Sequence, residues 1–92
     1  MNVRVIYTTQ LRAALGRGWE EIDLPGPATL PGLLDRLGQL HGPTFRDLVL
    51  DSQGRPLPSI LLCVGDQQIR ADTAGDLKEG DQVTILSAIS GG

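Results

Sequence analysis

Few groups in this chain could do chemistry, and the most distinctive stand last: Gly91 and Gly92 close the sequence. Two adjacent residues without Cβ make a thin, unhindered segment. Such a tail fits a narrow channel and can carry a terminal carboxylate into the active site of another protein. The working group expected here is the Gly92 carboxylate. The other candidates read as structural. Cys63 is the only cysteine, so no internal disulfide can form. It sits in the apolar run Ile60-Leu61-Leu62-Cys63-Val64, where a cysteine behaves as a small hydrophobe rather than a nucleophile. His41 is the only histidine; it lacks a partner at metal-ligand spacing and is expected on the surface at a helix end. Asp51, Asp66, Asp72, Asp76 and Asp81 mostly neighbour glycine or turn residues, where short carboxylates make turns rather than acid–base pairs. Gly16-Arg17-Gly18 does not match a phosphate-binding loop. No catalytic set, metal or bound cofactor is expected, and the chain reads as a non-enzyme.

Composition narrows the classes further. A length of 92 residues gives one domain with one modest core. Only Tyr7, Trp19 and Phe45 are aromatic, so the core is drawn from Leu, Ile and Val. A net charge of −3 argues against nucleic acid, whose backbone requires a basic face. Lys78 is the only lysine; arginines supply the remaining positive charge. Met1-Asn2-Val3-Arg4 leads directly into an alternating segment, so no signal peptide is expected. No apolar run approaches membrane-spanning length. A cytoplasmic, soluble protein with no membrane partner is expected.

These groups need a scaffold, and the periodicities outline one. Residues 3–8 alternate Val3, Val5 and Tyr7 against Arg4, Ile6 and Thr8, a strand pattern. Gln10 to Leu15 fit a short helical turn before the Gly16-Arg17-Gly18 link. Trp19 to Leu24 alternate again, with Ile22 and Leu24 against Glu21 and Asp23, so the first two strands are expected to pair antiparallel. Pro25-Gly26-Pro27 breaks the second. Thr29 is placed to cap a helix, with Pro31 in its first turn. Leu30, Leu33, Leu34, Leu37 and Leu40 then form one apolar stripe, and Gly42-Pro43 ends it. Thr44 to Leu50 suggest a short second helix, with Phe45 and Leu48 or Val49 inward. Asp51-Ser52-Gln53-Gly54 reads as a turn. Ile60 to Val64 are continuously apolar, which predicts a strand covered on both faces. Gln67 to Arg70 suggest an edge piece, Asp76 to Asp81 a polar loop, and Gln82 to Leu86 a final strand. One amphipathic helix covers only one face of a sheet. The reading is α+β: a mixed four- to five-stranded sheet with one main helix across one face. The domain spans residues 1–86, and residues 87–92 form a flexible tail.

The order of elements and the ending resemble the ubiquitin-like (β-grasp) sulfur-carrier family. The nearest branch contains the small subunit of molybdopterin synthase (MoaD) and its thiamine-pathway relative (ThiS). The resemblance covers the whole chain and rests chiefly on residues 77–92, Leu-Lys-Glu-Gly-Asp-Gln-Val-Thr-Ile-Leu-Ser-Ala-Ile-Ser-Gly-Gly. The Gly80-Asp81 turn, the aliphatic strand and the Gly-Gly ending stand at the family's spacing. Leu86 replaces a common phenylalanine, and Ser87-Ala88 replace a frequent proline pair. Residues 44–58 are longer than in the shortest carriers and look more like those serving cysteine synthesis or tRNA thiolation.

The resemblance implies a mechanism. An activating enzyme of the ubiquitin-activating type adenylates the Gly92 carboxylate, with ATP and Mg²⁺ that belong to that enzyme. A persulfide donor converts the acyl-adenylate to a thiocarboxylate, and an acceptor synthase or thiotransferase consumes its sulfur. Ser87, Ala88, Ile89, Ser90 and Gly91 thread the partner's active site, and Leu86 docks against the partner or lies in the core. The molybdenum-cofactor pathway comes first among acceptors; cysteine, thiamine and tRNA thiolation are the alternatives. A ubiquitin-like modifier joined through Gly92 to lysines shares the activation step, and a binding module with an incidental Gly-Gly is a further class.

Overall fold

A computed structural model of the chain describes residues 1–70 and 75–87. The chain begins with β1 (Asn2–Tyr7), α1 (Thr9–Leu15) and β2 (Trp19–Asp23). A two-residue strand β3 (Ala28–Thr29), the main helix α2 (Leu30–His41) and a shorter helix α3 (Pro43–Val49) follow. The chain continues through β4 (Ile60–Val64), β5 (Gln67–Ile69), β6 (Asp76–Leu77) and β7 (Gln82–Ser87). The main sheet has five strands in the order β2-β1-β7-β4-β5. β1 and β7 are parallel at its centre, with Tyr7 opposite Ile85. The pairs β1–β2, β4–β7 and β4–β5 are antiparallel. This is the expected mixed β-grasp sheet.

Local chemistry explains the helices. Thr29 caps α2 by accepting a hydrogen bond from the Gly32 amide at 3.2 Å, and a proline occupies the first turn, where no amide partner is lost. Gly42, at φ 65°, separates α2 from α3 in a backbone region that favours glycine. Leu30, Leu33, Leu34 and Leu37 are buried against the sheet. They meet Val3, Val5, Val83 and Ile85 from the central strands and Phe45 and Val49 from α3 in one cluster. Each such side chain contributes about 1.5–3 kcal/mol on leaving water, which offsets the weak helix propensity of Gly32 and Gly38.

Asp51 makes the expected turn: its carboxylate accepts from the amides of Gln53 and Arg55 at 2.8 and 3.0 Å. Those amides, Arg55 first, hold the carboxyl below the usual carboxylate range.

Four expectations need correction. Leu40 is 48% exposed and leaves the inward stripe. α1 is a helix of seven residues that buries Leu11, not a mere turn. The segment from Asp76 is not wholly loop, because Asp76–Leu77 pair with Ala28–Thr29 and bury Leu77. Strand β4 is covered on one face only: Ile60 and Leu62 are buried, whereas Leu61 is 38% exposed. All three helices contribute to the core on the inner side, which leaves the outer face of the sheet open among the described residues.

Candidate site at the end of the last strand

The last described strand, β7, lies in the sheet interior. β7 lies between β1 and β4, and its last residue, Ser87, pairs with Ile60. The strand thus runs one residue beyond the expected Leu86. Two threonines after β1 reach its end: Thr8 Oγ1 donates to the Ile85 carbonyl at 3.0 Å, and Thr9 Oγ1 donates to the Ser87 carbonyl at 3.3 Å. Ala88, Ile89, Ser90, Gly91 and Gly92 lie outside the described residues.

Leu86 is not a core residue. The core side of β7 is taken by Val83 and Ile85, both fully buried; Leu86 points to the open face and is half-buried. Its cross-strand partner is Leu61. The adjacent row across the sheet runs Trp19, Ile6, Thr84, Cys63, Gln68. Trp19, 54% exposed, packs under the Arg4 guanidinium, which lies 4.6 Å from the ring centroid. Arg4 Nη2 also pairs with Glu21 Oε1 at 3.2 Å. An apolar band of Leu86, Leu61, Ile6 and Trp19 therefore begins near the end of β7. Cys63 lies within this band, half-buried on the open face, and not in the core as expected.

The structure also reassigns His41. Its side chain is only 17% exposed, and Nε2 lies 2.6 Å from Glu20 Oε2. The Tyr7 hydroxyl donates to that same oxygen, and Arg17 Nη1 pairs with Glu20 Oε1 at 3.2 Å. The cluster joins β1, β2 and α2 on the inner side of the sheet. Burial, followed by the hydrogen bond to Glu20, pushes the Tyr7 phenol well above its ordinary range. His41 is therefore a largely buried side chain with a carboxylate partner, and not a surface residue. Among the described residues no group of His, Cys, Asp and Glu is placed to hold a metal ion. Among the described residues no helix is long and apolar enough to cross a membrane.

Known proteins agree with this geometry. The model of the ThiS family matches residues 5–92. The chain belongs to that family of ubiquitin-like sulfur carriers. Among solved structures it is similar to SAMP1 from Haloferax volcanii, at 22% identity and TM-score 0.87, with 100% of each chain covered. A putative molybdopterin converting factor subunit 1 from Pyrococcus furiosus is 25% identical at TM-score 0.77, covering 97% of this chain and 99% of that one. A chain of the Amycolatopsis orientalis BexX/CysO complex is 28% identical at TM-score 0.71, covering 98% and 99%. No curated protein sequence matches the chain.

Proposed function

We propose that this chain is a sulfur carrier whose reactive group is the carboxylate of Gly92. The observation that carries the reading is a Gly-Gly pair at residues 91–92, five residues beyond Leu86 on the central strand of a β-grasp domain and within the ThiS-family match. A carboxylate is a poor electrophile. Adenylation by a ubiquitin-activating-type enzyme supplies a leaving group, with ATP and Mg²⁺ bound by that enzyme. A persulfide sulfur then attacks the acyl carbon and AMP departs; a thiol cleaves the S–S bond and frees the thiocarboxylate. The chain itself presents, orients and docks.

The band of Leu86, Leu61, Ile6 and Trp19 suits a docking surface for these partners, since exposed contiguous apolar patches mark interaction sites. Gly91 keeps the approach narrow, and a side chain there would meet the channel wall. The molybdenum-cofactor synthase is the acceptor proposed first, with cysteine, thiamine and tRNA thiolation as alternatives. The work is proposed to take place in the cytoplasm.

Deleting Gly91 and Gly92 tests the reading. The truncated protein should fold, retain binding to its acceptor and lose sulfur transfer. Undiminished sulfur transfer by the truncated protein would leave a plain binding module as the better description. A pull-down with the intact protein, analysed for the captured acceptor, selects among the pathways.

A further inference from the structure

The chain passes from β1 into α1 through two threonines whose hydroxyls are turned toward the end of β7. Thr8 stands at the capping position of α1, where a threonine side chain ordinarily accepts from an amide of the first turn. Here it makes no capping bond and donates instead to the Ile85 carbonyl at 3.0 Å. Thr9 is exposed and has φ 49°, a conformation that residues with a Cβ rarely adopt. Glycine takes that conformation without strain. An exposed threonine gains little burial in return. What its side chain contributes is one hydrogen bond, from Oγ1 to the Ser87 carbonyl at 3.3 Å.

The position of that bond matters as much. The β1–β7 register ends at Tyr7 opposite Ile85, two residues before β7 itself ends. The two hydroxyls continue the contact where the β1 main chain has turned away. On its other side Ser87 is in register with Ile60 of β4. The main chain of Ser87 is thus held from both neighbours. Gly92 follows it by five residues. A swing of about 10° at Ser87 displaces the end of an extended five-residue segment by about 3 Å. Adenylation brings a carboxylate oxygen against a phosphorus of ATP, and a misplacement of about 1 Å is costly in such a step. The direction in which the chain continues past Ser87 is therefore part of the reaction geometry.

We propose that Thr9 is a positioning residue for the activation of Gly92: its hydroxyl fixes the Ser87 carbonyl and with it the direction in which the chain continues toward the reactive end. The proposal rests on the reading that Gly92 is adenylated, and on no particular sulfur pathway. The strain at Thr9 is retained for the hydroxyl, which glycine lacks. Docking through the Leu86–Leu61 pair does not involve Thr9, so its contribution falls on turnover and not on affinity.

The test is ATP–pyrophosphate exchange by the activating enzyme of the cells that produce the chain, with the full-length protein as substrate and kcat and KM read separately. Thr9→Val removes the hydroxyl and keeps the shape. Thr9→Gly removes it and folds without the strain at φ 49°, so its activity is read on an intact domain. Thr9→Ser keeps the hydroxyl. Thr9→Val and Thr9→Gly should each lower kcat by about two- to tenfold, the factor that one hydrogen bond is worth, with KM changed by less than about twofold. Thr9→Ser should retain the parent kcat. A parent-like kcat in Thr9→Gly overturns the proposal, because the hydroxyl then does no more than stabilise the fold. A loss in Thr9→Ser as large as in Thr9→Val overturns it too, as does a loss confined to KM. Absence of exchange with the parent protein overturns the carrier reading and this proposal together.

Discussion

The Thr9 hydroxyl donates to the main-chain carbonyl of Ser87 at 3.3 Å. Thr9 has φ 49°, the left-handed region that costs a residue with a Cβ about 1–2 kcal/mol. Thr8 beside it donates to the Ile85 carbonyl. The parallel β1–β7 ladder ends at Tyr7 and Ile85, and the two hydroxyls extend it to the end of β7. Backbone strain persists where the surroundings fix it; here it accompanies the hydrogen bond that Thr9 makes to the end of β7.

Thr8→Val removes one of these hydrogen bonds at nearly constant volume. We expect a loss of about 1 kcal/mol, seen as a lower urea midpoint with an unchanged slope. An unaltered midpoint would show that the hydroxyl contributes nothing to anchoring β7.

Leu86→Asp should leave stability within about 1 kcal/mol, because its side chain faces the open side of the sheet. It should raise the KM for the activating enzyme, read by pyrophosphate exchange, and Leu61→Asp should do the same. Ile85→Asp is the contrast, since Ile85 is fully buried and the charge should prevent folding. If Leu86→Asp also unfolds the domain, Leu86 belongs to the interior.

The leucine stripe gives a sharper pair. Leu37→Ala should cost about 2–5 kcal/mol by opening a cavity, because Leu37 is fully buried. Leu40→Ala should change stability by less than about 0.5 kcal/mol, because Leu40 is exposed. Thermal unfolding of both variants separates the two cases. Equal losses would mean that Leu40 shares the core.

Tyr7 makes stability pH-dependent. Its folded pKa is raised above the unfolded value of about 10. Stability from the protonated phenol is fully present below that value. Above it the unfolded chain releases the proton and the folded chain keeps it, so stability falls by about 1.4 kcal/mol per pH unit. Urea titrations from pH 9 to 11 should show this slope in the parent protein and a shallower one in Tyr7→Phe. Identical slopes would contradict the assignment.

The cluster around Tyr7 shows what the sequence carries and what a simple reading of it passes over. Strand alternation puts Val3, Val5 and Tyr7 inward, and the structure agrees. The same period of two puts Glu20 on the side of Ile22, where it is found. At 100° per residue His41 lies about 20° from Leu30, whereas Leu40 lies about 80° away. Helical angle therefore placed the histidine, not the last leucine, against the core. Leucine hydrophobicity and the proximity of the helix end masked that signal. The open face of β4 was hidden for a different reason. A continuous apolar run means two-sided burial in a parallel sheet, but here both neighbours of β4 are antiparallel and all helices lie on one side. Its outward leucine is available for docking instead. The β3–β6 ladder is too short to show a period at all. The tail motif needed no structure to be seen, since its information lies in residue type and spacing.

Intact-mass measurement of the protein taken from its own cells tests the central claim most directly. Exchange of one carboxyl oxygen of Gly92 for sulfur adds about 16 Da. The carrier reading predicts that species, together with its localisation to the peptide ending in Gly91-Gly92 and its loss when the activating enzyme is removed. A mass that never shifts in cells containing that enzyme, or a mature chain that continues past residue 92 without trimming, contradicts it.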